Sequence, residues 1–115
     1  MDCIFCKIAS GQIPSEKVYE SENVLAFKDI SPVTPEHILI IPKKHISNIE
    51  SITGEDNNQM AEMFIAAKEI SKERDLADQG YRLIINNGKA AGQEVFHLHM
   101  HILGGKEYLG PMIMK

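Results

Sequence analysis

The sequence predicts an α+β domain: a mainly antiparallel sheet of about five strands, with one long helix and one short N-terminal helix. Three observations predict it. Short runs rich in β-branched residues are joined by connections of hairpin length, which favours antiparallel pairing. A single long stretch, Glu55 to Arg74, repeats apolar residues at spacings of three and four. The chain has 115 residues, 43% hydrophobic and 24% charged, the size and balance of one folded domain over residues 1–115.

Taken in order, residues 3–9 read as the short helix, with Ile4, Phe5 and Ile8 on one side and Gly11 as the stop signal. Lys17–Glu20 and Val24–Phe27 read as short strands around a polar turn. Pro32 and Pro35 make residues 31–35 a loop. His37–Ile41 is a β-branched run ending at Pro42, hence a buried central strand. Residues 47–52 hold a helical turn. The long helix presents Met60, Met63, Phe64, Ala67 and Ile70 as its apolar stripe, with Thr53 or Gly54 at its N-cap. Tyr81–Asn86 is a further strand, residues 87–94 a polar loop, and Val95–Leu103 the last strand. Residues 106–115 read as an irregular tail.

No apolar run approaches the roughly 20 residues a membrane span needs. The start, Met1-Asp2-Cys3-Ile4-Phe5-Cys6, lacks the basic and apolar regions of a signal peptide. The expected compartment is cytoplasmic, with no membrane partner. A net charge of −4 argues against nucleic acid as a partner, while leaving room for one small anionic ligand.

Two cysteines and five histidines carry the chemistry. Cys3 and Cys6 form a C-x-x-C pair. A redox pair of the thioredoxin kind would follow a strand, and only two residues precede this one. Two thiolates are half of a tetrahedral zinc site, so metal binding needs two more ligands from elsewhere. His97-Leu98-His99-Met100-His101-Ile102 alternates strictly. Alternate side chains of a strand share a face, so three imidazoles point one way and three apolar residues the other. Two uses suit such a face. One is a shared metal ion. The other is nucleophilic or acid–base catalysis, for which neutral imidazole is well matched at neutral pH.

The run from Gln93 to Gly105 resembles the signature of the histidine triad (HIT) superfamily. Phe5-Cys6-Lys7-Ile8, Asp29-Ile30-Ser31-Pro32, Ile41-Pro42-Lys43-Lys44-His45-Ile46, Asn86-Asn87-Gly88 and Leu109-Gly110-Pro111-Met112 are similar to the Hint branch, in its bacterial form. The resemblance implies a HIT-like fold and a hydrolase of purine nucleoside phosphoramidates, and extends to aminoacyl-adenylates. It makes His99 the nucleophile, forming a nucleotidyl-histidine that water cleaves to nucleoside monophosphate. It places His101, His97 and His37 beside it in the catalytic group. It assigns Asp29 to ribose hydroxyls and Asn86 to phosphate. Phe5, Ile8, Ile13, Phe27, Ile30 and Leu39 match an apolar base pocket. Gly92, Gln93, Glu94 and Val95 match the phosphate loop.

Glu94 departs from the serine of animal relatives, so backbone N–H groups of Gly92 to Val95 are the expected phosphate donors there. The zinc-binding relatives imply a structural Zn held by Cys3, Cys6, His45 and His97, with none required for catalysis. The family implies a homodimer, with the long helix and the 81–86 strand at its interface. Three alternatives remain: a nucleotide-binding regulatory module, a catalytic metal on the triad, and a Fhit-like dinucleoside polyphosphate hydrolase.

Overall fold

The computed structural model describes residues 3–112. Its elements are α1 (Ile4–Ala9), β1 (Lys17–Glu20), β2 (Val24–Lys28), β3 (Glu36–Pro42), α2 (Asn57–Glu73), β4 (Arg82–Ile84) and β5 (Met100–Gly104). The five strands form one sheet in the order β1-β2-β3-β5-β4. Every pairing is antiparallel. The predicted α+β class and the placing of the elements hold, with differences at their ends. The expected tail extends over 113–115, which lie outside the described residues.

The centre of the sheet is apolar on both faces, and each face has its own cover. Val24, Ala26, Ile38, Ile40, Met100 and Ile102 pack with Met63, Ala66, Ala67 and Ile70 of α2. On the opposite face Leu25, Phe27, Leu39 and Ile41 pack with Phe5 and Ile8 of α1. The period-two alternation of β2 and β3 therefore serves two small cores at once.

Thr53 caps the start of the long helix in a capping box with Asp56, over a 3₁₀ turn at Gly54–Asp56 that runs into α2. Asp56 is buried and also takes Lys44 Nζ at 2.6 Å, which fixes the chain beside His45. Phe64 does not join the buried stripe: it is 58% exposed, alongside Ile65. Ala66 takes its place, because the face that meets the sheet follows residues 63, 66, 67 and 70.

The strand expected over 95–103 pairs only from Met100. Residues 95–97 bend, and the Leu98 N–H donates to the carbonyl of Ile46 at 2.6 Å. The bend carries His97 away from the ladder, while His99 leads into it and His101 lies within it. β4 likewise pairs over three residues rather than six, and a 3₁₀ turn at Lys89–Ala91 fills part of the polar loop.

Candidate active site

Two histidine clusters meet on the α1 face of the sheet. The first joins Cys3 and Cys6 of the α1 region to His45, after β3, and His97, before β5. Their ligand atoms all lie within 4.8 Å of one another. His97 Nδ1 is 3.3 Å from Cys3 Sγ and 3.5 Å from Cys6 Sγ. His45 Nδ1 is 3.3 Å from Cys6 Sγ. The second ring nitrogens have their own partners. His97 Nε2 donates to the carbonyl of Pro42 at 2.7 Å, and His45 Nε2 shares a hydrogen bond with Ser47 Oγ at 3.3 Å. The Pro42 carbonyl therefore turns a His97 Nδ1 lone pair toward the thiols, and His45 presents its Nδ1 to the same group.

This donor set fits zinc. Two sulfurs and two imidazole nitrogens are the ligands of a closed tetrahedral site. Burial, together with the neighbouring Cys3, pushes the Cys6 thiol up to about 11. Cys6 thus resists ionisation unless a cation accompanies it. Burial also holds His97 below the ordinary imidazole range, which keeps it a neutral ligand.

The second cluster holds His99, His101, His37 and Asp29. The His99 and His101 ring centroids are 5.1 Å apart. His99 Nδ1 donates to the carbonyl of His97 at 2.8 Å, so the lone pair sits on Nε2. His37 Nδ1 accepts from the Val33 N–H at 3.1 Å, so its proton sits on Nε2. That nitrogen lies 2.9 Å from His101 Nδ1 and 3.5 Å from Asp29 Oδ2. With Nδ1 of His101 accepting, its Nε2 carries the proton. The cluster thus offers one imidazole with an open lone pair and one with an open N–H.

Burial lowers His37, against the opposing charge of Asp29. Burial, then the neighbouring His99 and His37, lowers His101 to about 4. Both rings are neutral at neutral pH. Asp29, His37 and His101 also bring ligand atoms within 4.8 Å. The Val33 N–H argues against a metal there, since it leaves the facing nitrogen of His37 protonated and without a lone pair.

Most of the remaining expected residues gather around this cluster. Phe5 lies edge-on to Phe27, His97 and His99, with centroids 5.6, 5.9 and 5.1 Å away. Ile8, Phe27 and Leu39 are buried beside it, and Ile13 and Val95 pack against the same group. Ile30 does not join them; it is 98% exposed. Asp29 serves a turn as well as the cluster, since its Oδ1 accepts the Ser31 N–H at 2.7 Å. Asn86 lies half-buried just beyond β4. Gly92 is in the left-handed region at φ 86° and ends the 3₁₀ turn. Glu94 is exposed and lines a cleft of about 310 Å³ with Cys3, Ile4, Val95 and Phe96.

Three groups that set this chemistry were not foreseen: the Val33 N–H, the Pro42 carbonyl and the Ser47 hydroxyl. Two of them are backbone groups, which carry no signature of residue type. The third is an ordinary serine until the fold sets it beside His45.

A HIT domain model matches residues 10–108. The purine nucleoside phosphoramidase of Escherichia coli is 45% identical over 112 residues, 97% of this chain and 93% of that protein. A histidine triad protein from Clostridium difficile superposes with a TM-score of 0.91 at 48% identity, covering 96% of both chains. A HIT family hydrolase from Legionella pneumophila gives 0.89 at 48% identity, covering 91% of this chain and 94% of that one. Family model, relatives and superposed structures agree with the paired imidazoles on the sheet: the chain belongs to the HIT domain family.

Proposed function

We propose that this chain is a hydrolase that cleaves the P–N bond of purine nucleoside phosphoramidates in two displacements at phosphorus. One observation carries the reading: the His97 carbonyl holds the proton of His99 on Nδ1 and leaves Nε2 as the nucleophile. The relative named purine nucleoside phosphoramidase supplies the substrate class. The lone pair of His99 Nε2 forms a bond to the α-phosphorus. The P–N bond breaks, its electron pair stays on the leaving nitrogen, and that nitrogen takes a proton from solvent. Water then attacks the nucleotidyl-His99. The bond to Nε2 breaks, a proton returns to solvent, and nucleoside monophosphate departs.

The neighbouring residues bind and orient. The Nε2–H of neutral His101 donates to a non-bridging oxygen, and His37 holds His101 in that tautomer. Asp29 accepts from the ribose hydroxyls, the cluster around Phe5, Ile8, Phe27 and Leu39 seats the purine, and Asn86 and the backbone of residues 92–95 receive the phosphate. Cys3, Cys6, His45 and His97 hold a structural zinc ion that ties α1 to the histidine segment. The protein acts in the cytoplasm as a homodimer through α2 and β4, where Phe64, Ile65 and Leu83 are exposed.

Brief reaction with adenosine phosphoramidate labelled at phosphorus, quenched in alkali, tests the intermediate. The wild type retains label on protein and shows a burst of amine. His99→Ala retains none and loses at least about 10³-fold in kcat while still binding adenosine monophosphate. Wild-type protein with neither burst nor turnover would mark a binding module instead.

A further inference from the structure

Gln93 is buried, 5% exposed, in an otherwise exposed loop. Its carboxamide is used at both ends. Oε1 accepts the Gly88 N–H at 2.8 Å. Nε2 donates to the carbonyl of Ser47 at 2.9 Å and to that of Val95 at 3.1 Å. The main chain completes the lock, since the Gln93 N–H donates back to the Gly88 carbonyl at 3.1 Å. Gly88 and Gly92 both adopt positive φ, at 89° and 86°, and bracket the 3₁₀ turn of Lys89–Ala91. Such a loop has little side-chain packing of its own, so its shape depends on these bonds.

With both amide protons spent on carbonyls inside the protein, the side chain is poorly placed to bind substrate. It instead ties both ends of its own loop to the Ser47 segment. The Ser47 segment also carries the hydroxyl that orients His45. The Val95 carbonyl belongs to the turn that leads into His97 and His99.

We propose that Gln93 is a positioning residue that sets the register of the 88–95 loop as a phosphate seat, joining it to the His45 and His97 segments. The assignment rests on the phosphate role given to that loop above. It goes beyond that role by naming the side chain that shapes the loop from beneath.

Gln93→Glu keeps the acceptor for Gly88 and turns an oxygen toward two carbonyls. Gln93→Met is of similar length, adds no charge and removes all three bonds. Each is compared with wild type by the affinity for adenosine and for adenosine monophosphate, by kcat/KM on adenosine phosphoramidate, and by thermal midpoint. The expected result is a loss of roughly 10-fold in monophosphate affinity and 10- to 100-fold in kcat/KM, with adenosine affinity within twofold of wild type. Should Gln93→Glu fail to fold, Gln93→Met decides alone. Parallel loss of adenosine and monophosphate affinity would overturn the assignment in favour of general support. So would retention of both affinities and of kcat/KM within twofold. A wild type that binds monophosphate no better than adenosine would remove the seat itself, a result separate from the behaviour of either variant.

Discussion

His97 and His99 are coupled through one carbonyl: the His97 oxygen accepts from His99 Nδ1 at 2.8 Å, while the His97 ring faces Cys3 and Cys6. One residue thus belongs to both clusters, by its ring to the thiols and by its backbone to the nucleophile. The orientation of His99 follows from where the His97 ring is anchored.

Removing the thiols should therefore lower stability first and catalysis through it. Purified protein should hold one zinc per chain, and Cys3→Ser should hold less than a tenth of that. The variant should lose at least about 3 kcal/mol of stability, roughly 10–20 °C in Tm for a domain of this size. Chelation of the wild type should lower Tm before activity falls at 25 °C. Elemental analysis with a thermal melt checks this, and loss of activity at unchanged Tm would point to a catalytic ion.

Much of this was legible in the sequence, for reasons that differ by element. β3 and α2 were readable because their patterns satisfy one period along their lengths. The C-x-x-C pair and the histidine alternation were readable because residue type and spacing limit what they can do, whereas His45 and His97 joined the thiols only through the resemblance to zinc-binding relatives. The start of the last strand was not readable. Val95-Phe96-His97 has strand composition, but the pull of the thiol cluster on His97 and the bond from Leu98 to Ile46 override it. Phe64 was placed in the core by spacing alone, and spacing cannot say how wide a face the sheet covers. The tautomers of His37 and His97 rest on backbone atoms of Val33 and Pro42, whose positions only the fold determines.

His101 gives the site a pH signature. Burial holds it near 4 in the folded protein, against about 6.5 unfolded. Between those values the unfolded chain binds more protons, so stability contributed by this group is complete above pH 6.5 and is lost as pH falls toward 4. Protonation also sets an N–H of His101 against the Nε2–H of His37. The side chain is partly open to solvent, so the contribution is discounted to about 1–2 kcal/mol. Urea midpoints at pH 7.5 and 4.5 should differ less in His101→Gln than in the wild type. Equal differences would show that His101 titrates normally.

The exposed apolar residues of α2 and β4 predict the assembly. Leu83 lies on an edge strand, and Phe64 and Ile65 are more than half exposed. An open edge strand and exposed apolar side chains each invite association with a second copy. Sedimentation should give a dimer at micromolar concentration, and Phe64→Glu with Leu83→Glu should give a folded monomer. A monomeric wild type would remove this part of the reading.

Gly105 provides a test of how the fold delivers His37. It lies at φ 88°, and a Cβ there would sit 3.1 Å from Pro35 Cβ and 3.3 Å from the backbone nitrogen of Glu36. Neither neighbour is the far end of a flexible side chain. Gly105→Ala thus combines an unfavourable φ with a clash at the first residue of β3, next to His37. It should cost about 2–3 kcal/mol in urea denaturation. It should also lower kcat more than it weakens adenosine binding, because the shift falls on the His37–His101 contact. Gly54→Ala is the control: no heavy atom lies within 4 Å of its Cβ and its φ is not positive. It should stay within about 0.5 kcal/mol of wild type. If both variants matched wild type, the packing of Gly105 on Pro35 and Glu36 would not be holding the start of β3.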